Sequence, residues 1–173
     1  MNKLLSGALA LSMVATMGMA ESKMYIGVGT AMEMIESDMV DDMGMAIEFK
    51  IGTIFDNNFG VEGKVTKTIS PAEDDSFFRD RRNINADMMT YSIFGTYHHR
   101  LSSDLIVSPK IGFLKEEIIL SAQGFTDSKF DDSGMVFGVD IKKNISYNLD
   151  IYAGITHIEE DVNHVSFGLE KRF

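Results

Sequence analysis

Between residues 23 and 173 an apolar or aromatic side chain recurs at almost every second position, with small, polar or charged residues between. A period of two marks β-strands with unlike faces. Eight such segments are predicted. The first, roughly 23–34, sets Met24, Ile26, Val28 and Met32 against Tyr25, Gly27, Gly29, Ala31 and Glu33. The second, roughly 45–55, sets Ile47, Phe49, Ile51 and Phe55 against Glu48, Lys50 and Gly52. The third, roughly 59–69, opposes Phe59, Val61, Val65 and Ile69 to Glu62, Lys64, Thr66 and Thr68. The fourth, roughly 88–100, opposes Met89, Tyr91, Ile93 and Tyr97 to Thr90, Ser92, Thr96, His98 and Arg100. The fifth, roughly 105–119, carries Leu105, Val107, Ile111 and Phe113 against Ser108, Lys110, Gly112 and Glu116. The sixth, roughly 134–143, carries Met135, Phe137, Val139 and Ile141 against Gly138, Asp140 and Lys142. The seventh, roughly 149–158, has Leu149, Ile151 and Ile155 against Asp150, Gly154 and Thr156. The eighth, 164–173, has Val165, Phe167, Leu169 and Phe173 against His164, Ser166, Gly168, Glu170 and Arg172.

The connections add independent information. Those near 56–58, 101–104 and 144–148 are short and rich in Asn, Asp and Ser, the residues of tight reversals. Those near 35–44, 70–87 and 120–133 are longer and polar, and the one near 159–163 is brief and acidic. Short turns at one end and long loops at the other are the asymmetry of barrels that cross an outer membrane. Phe55, Phe59, Tyr97, Tyr147 and Phe173 gather at the short-turn end, where an aromatic girdle belongs. Period two does not say which face points inward. A water-soluble lipocalin-like carrier with an apolar interior is therefore the competing fold.

The start of the chain reads as an export signal. Lys3 precedes the apolar run Leu4 to Gly18, and Gly18-Met19-Ala20 offers small residues for cleavage before Glu21. The expected domains are a signal peptide at 1–20 and one barrel domain at 21–173. Without the signal the chain keeps 15 basic against 26 acidic residues, a net −11. That balance argues against nucleic acid, which needs a basic face. Cysteine is absent, so there is no disulfide frame or thiolate metal site. Beyond the signal no run approaches a membrane-spanning helix. A closed barrel can still cross, because closure pairs every backbone donor and acceptor in hydrocarbon.

The terminal run HVSFGLEKRF, with alternating apolar residues and a final phenylalanine, resembles the C-terminal strand of outer-membrane barrels. With the signal and the paired segments, the chain resembles the small OmpA/OmpX-type outer-membrane β-barrel domain. The resemblance implies an all-β, eight-stranded antiparallel up-and-down barrel in the outer membrane. It also implies that Val165, Phe167, Leu169 and Phe173 form an assembly signal for the outer-membrane assembly machinery. Lys171 departs from that pattern, and its stem could lie along the wall with its amine at the interface. Pro109 departs from a strand interior because it cannot donate to the ladder, and a bulge is expected there.

If the polar face is inward, Glu33, Glu48, Lys50, Glu62, Lys64, Arg100, Lys110, Glu116, Asp140, Lys142, Asp150, Glu170 and Arg172 share a lumen that eight strands leave only wide enough to fill. Unpaired charges would be costly there, so an ion-paired network is expected. The loops should be acidic, at Glu36, Asp38, Asp41 and Asp42, at Glu73 to Asp75, at Asp127, Asp131 and Asp132, and at Glu159 to Asp161. Arg79, Arg81 and Arg82 form a basic patch that suits lipid phosphate or a partner's acidic surface. His164 and Ser166 share a face, a faint resemblance to the His-x-Ser element of lipid A deacylases, but the rest of that motif is not evident. His98 and His99 point to opposite faces and cannot chelate together. No cofactor or metal site is expected. The reading is a non-enzymatic, monomeric barrel in contact with outer-membrane lipid and lipopolysaccharide, structural or interacting through its loops. The alternatives are a small porin-like channel or a lipid A-modifying enzyme.

Overall fold

A strand whose two faces differ this strongly must bury one and find a matching surroundings for the other. In the computed structural model, residues 23–37, 40–70, 84–122, 128–158 and 162–173 are described. They form eight long strands: β1 (Lys23–Ser37), β2 (Val40–Ile54), β3 (Phe59–Ser70), β4 (Ile84–Tyr97), β5 (Leu105–Ala122), β6 (Ser128–Ser146), β7 (Leu149–Ile158) and β8 (Val162–Arg172). After His98, β4 resumes for two residues, His99–Arg100. Every strand pairs antiparallel with its sequence neighbour, and β8 pairs with β1 from Tyr25↔Arg172 to Ile35↔Val162. The sheet therefore closes into an eight-stranded up-and-down barrel.

The charged parity faces inward. Lys50, Glu48, Glu62, Lys64, Asp140, Lys142 and Glu170 are all buried, whereas Phe113 is 64% and Val28 58% exposed. In water this arrangement would expose an apolar wall far larger than a soluble protein tolerates. The apolar-interior carrier is excluded by this orientation.

The short turns lie where expected. Asn58 and Asn148 take φ of 66° and 59°, the left-handed region that asparagine tolerates better than branched residues. The Asn58 amide donates to the Phe55 carbonyl at 2.9 Å. In the turn before β5 the Ser102 hydroxyl donates to Asp104 Oδ1 at 2.8 Å, which holds that carboxyl below its usual range. The chain end is fastened too, since the Phe173 amide donates to the Met24 carbonyl at 2.8 Å.

Several expectations are corrected. The connection near 35–44 is mostly strand, because β1 and β2 stay paired up to Ser37↔Val40. Asp131 and Asp132 likewise lie on β6, opposite Glu117 and Glu116. Backbone ladders ignore side-chain polarity, so strands continue above the apolar band. The 19 residues of β6, at about 3.3 Å each and tilted about 40°, rise about 45 Å against an apolar band about 25 Å tall. No bulge accommodates Pro109. It pairs in register with Val139, while the β4–β5 ladder lapses between Thr96↔Lys110 and His99↔Val107, opposite the proline. Arg100 does not enter the lumen; it is exposed at the short-turn end. The side chain of Glu33 lies outside the described residues.

Candidate functional site

The interior is built from the inward parity of all eight strands. Its centre is Lys50 on β2. Its Nζ lies 3.2 Å from Glu170 Oε2, 3.3 Å from Asp140 Oδ2 and 3.9 Å from Glu62 Oε2. Lys142 donates to both oxygens of Glu170, at 2.8 and 3.0 Å. Lys110 donates to Asp140 at 2.7 Å and lies 3.6 Å from Glu62. Lys64 stands 3.1 Å from Glu48. Four buried lysines thus face four buried carboxylates. Equal numbers at these distances leave no net charge in a low-dielectric space, the condition under which buried ions are tolerated.

Aromatic rings complete the packing. Tyr25 donates to Glu62 at 2.8 Å and Tyr152 to Glu48 at 2.9 Å. The Lys50 ammonium lies 3.4 Å from the Tyr152 ring centre, and the Lys142 ammonium 4.5 Å from that of Tyr25. The glycines that alternate with these residues make the room. A Cβ on Gly52 would meet the Tyr25 ring at 2.3 Å, and one on Gly154 would meet Asp140 Oδ1 at 2.2 Å. Toward the short turns, His98 hydrogen-bonds Thr96 and Ser108, each at 3.0 Å, and Arg172 grips Asp150 at 2.8 and 2.9 Å. Toward the loops, Phe94, Leu114, Val136 and Ile158 form an apolar cluster inside the barrel.

The expected lumen residues Glu48, Lys50, Glu62, Lys64, Lys110, Asp140, Lys142 and Glu170 are thus brought together. Asp150 and Arg172 form a separate pair below them. Glu116 is half-buried on the same inward parity nearer the loops. Two participants were missed as such. Tyr152 and the apolar cluster both occupy inward positions, and their parity alone would have placed them; attention to charge concealed them. His164 and Ser166 are both buried in this interior, and the Ser166 hydroxyl donates to Glu48 at 2.8 Å. His98 is buried and His99 exposed, on opposite faces. Of the expected assembly residues, Phe167, Leu169 and Phe173 are exposed on the outer face and Val165 is half-buried. Arg79, Arg81 and Arg82 lie outside the described residues, as do Asp38, Glu73 to Asp75, Asp127 and Glu159 to Asp161.

The outer wall is an apolar band that includes Val28, Ile47, Phe49, Ile93, Ile111, Phe113, Phe137, Ile141, Ile155 and Leu169. At its lower rim Phe59 and Tyr97 pack with ring centres 5.0 Å apart, and Tyr147 is 91% exposed. The Lys171 ammonium lies 5.9 Å from the ring of Phe173. A model of the outer membrane protein beta-barrel domain matches residues 6–173. The chain belongs to that family. Like other outer membrane protein beta-barrel domains, it is closed and wraps an apolar exterior round its polar contents. Ail, the attachment invasion locus protein of Yersinia pestis, solved with the heparin analogue sucrose octasulfate, is similar with a TM-score of 0.67 and 19% identity. The match covers 88% of this chain and 99% of that one. Neisserial surface protein A is similar with a TM-score of 0.65 and 14% identity, over 87% of this chain and 97% of that one. OprG of Pseudomonas aeruginosa gives a TM-score of 0.60 and 8% identity, over 89% and 96%. At these identities the likeness is one of fold. Among curated protein sequences none matches the chain.

Proposed function

We propose that this outer-membrane β-barrel protein is non-enzymatic, is exported through a cleaved N-terminal signal, and serves the envelope through what its long loops touch. The carrying observation is the filled interior. Lys50, Tyr25, Tyr152 and their carboxylate partners occupy the middle of the lumen and pair with one another, which leaves the loop end as the surface for recognition. Arg79, Arg81 and Arg82 supply guanidinium groups suited to the phosphates of lipopolysaccharide or to an acidic partner. The similarity to Ail, solved with a polyanionic heparin analogue, is in keeping with that chemistry. Replacing the three arginines with alanine should leave the heat-modifiable barrel intact and weaken its retention on immobilised lipopolysaccharide. Unchanged retention would sink the loop assignment.

A small porin-like channel is the alternative, and the same packing weighs against it. Planar-bilayer recording of the purified barrel should give no steady conductance. For lipid A modification, Ser166 and His164 face the packed interior, away from the lipid where an acylated substrate would lie. The Ser166→Ala variant should leave the lipid A mass profile unchanged; a changed profile would restore the enzymatic reading.

A further inference from the structure

The outer wall carries a depression whose two ends differ chemically. Leu105, Lys143, Ile151 and Leu169 stand abreast across β5 to β8, and the row above reads Ile141, Ala153, Phe167. Ala153 is the small residue in that second row. Around it lies a groove of about 500 Å³, walled by Ile141, Ile151, Phe167 and Leu169, with Leu105 and Lys143 at the short-turn end. Its volume falls within the roughly 300–1,000 Å³ of small-molecule sites.

The charge at its lower end has no carboxylate opposite it in the wall. Lys143 is exposed between Leu105 and Ile151, and Lys171 is exposed between Ile26 and Leu149. Asp104 in the turn below is close enough to sense Lys143, yet among the described residues no ion pair joins them. The apolar slot therefore ends above the Lys143 ammonium, with Lys171 one row lower on β8, toward the headgroups of the short-turn leaflet. That is the amphiphile's own pattern, with a hydrocarbon tail above and a phosphate below. We propose that this groove binds an anionic glycerophospholipid, one acyl chain lying over Ala153 and the phosphate held by Lys143 and Lys171. The proposal rests on the membrane reading given above.

The chain contains no tryptophan, so one introduced residue reports from one place. Ile155→Trp places the reporter beside the groove, in the row above Ala153; Val65→Trp on β3 places a second on the far wall. Each full-length barrel is refolded into vesicles of phosphatidylcholine and phosphatidylglycerol. One lipid or the other carries brominated acyl chains, and quenching gives the relative association constant. With one lysine near an anionic headgroup contributing about fivefold, phosphatidylglycerol should be preferred at least fivefold at position 155 and hardly at all at position 65. The preference should fall toward unity with Lys143→Gln and Lys171→Gln together, persist with Lys143→Arg, and weaken at high salt. Ala153→Leu, which fills the groove, should reduce association of both lipids at position 155. Equal preference at the two reporters, or a preference that survives the double glutamine variant, overturns the proposal. If neither reporter is quenched by brominated chains, the membrane reading itself fails, an outcome distinct from the loss of selectivity.

Discussion

Substituting Lys50 with methionine removes the central positive charge while keeping an unbranched side chain of similar length. The stem matters, because a Cβ on Gly27 would meet Lys50 Cγ and Cε at 2.7 Å; the lysine fills that glycine's space. The substitution leaves Lys64, Lys110 and Lys142 against four carboxylates, with Glu170, Asp140 and Glu62 all losing a partner within 3.9 Å. Breaking a buried pair from one side costs about 3–5 kcal/mol, because it strands a desolvated charge. Adding Glu62→Gln restores three against three and leaves each remaining lysine its own carboxylate, Lys142 with Glu170, Lys110 with Asp140 and Lys64 with Glu48. Replacing both members of a buried pair is close to neutral, so the double variant should recover about 1–3 kcal/mol relative to the sum of the single changes. The assay is reversible urea unfolding in phospholipid vesicles, followed by the unboiled-versus-boiled gel shift and by circular dichroism. A Lys50→Met cost below about 1 kcal/mol, or a double variant no better than additive, would refute a neutral, ion-paired interior.

Four further outcomes follow from the same geometry. Gly154→Ala forces a methyl into Asp140 Oδ1 and should cost about 1–3 kcal/mol in the same titration; Gly63→Ala and Gly95→Ala, whose Cβ positions meet nothing nearer than 3.8 Å on the outer face, should be nearly silent. Ile111→Arg puts a charge into the apolar band and should destabilise by about 2–4 kcal/mol in vesicles, measured against Ile111→Ala. Spin labels at Phe49, Tyr91 and Phe137, all exposed on the wall, should relax with lipid-soluble oxygen rather than with a water-soluble nickel chelate; shielding from oxygen would invert the barrel. At the β6–β7 turn, Asn148→Gly should be tolerated, whereas Asn148→Val, forced to a φ near 59°, should cost about 1–2 kcal/mol.

Alternation by itself determined much of this protein. It yielded eight strands and the sets of residues that share a face, because side chains in a strand must alternate; the turn residues marked the three short turns, and which face lines the lumen was decided by the closed barrel. It could not find where strands end. The ladder from Ser37 to Val40 and the reach of β6 down to Ser128 continue through acidic stretches that read as loops, since backbone pairing is indifferent to what the side chains carry. Nor could it decide partners. That Lys50 meets Glu170, Asp140 and Glu62, from strands 12 to 120 positions away, and that Ser166 turns to Glu48 and not to His164, depends on barrel shear, which sets the heights at which distant strands meet. The strand pattern is a local property of the chain. The pairing of its charges belongs to the closed cylinder.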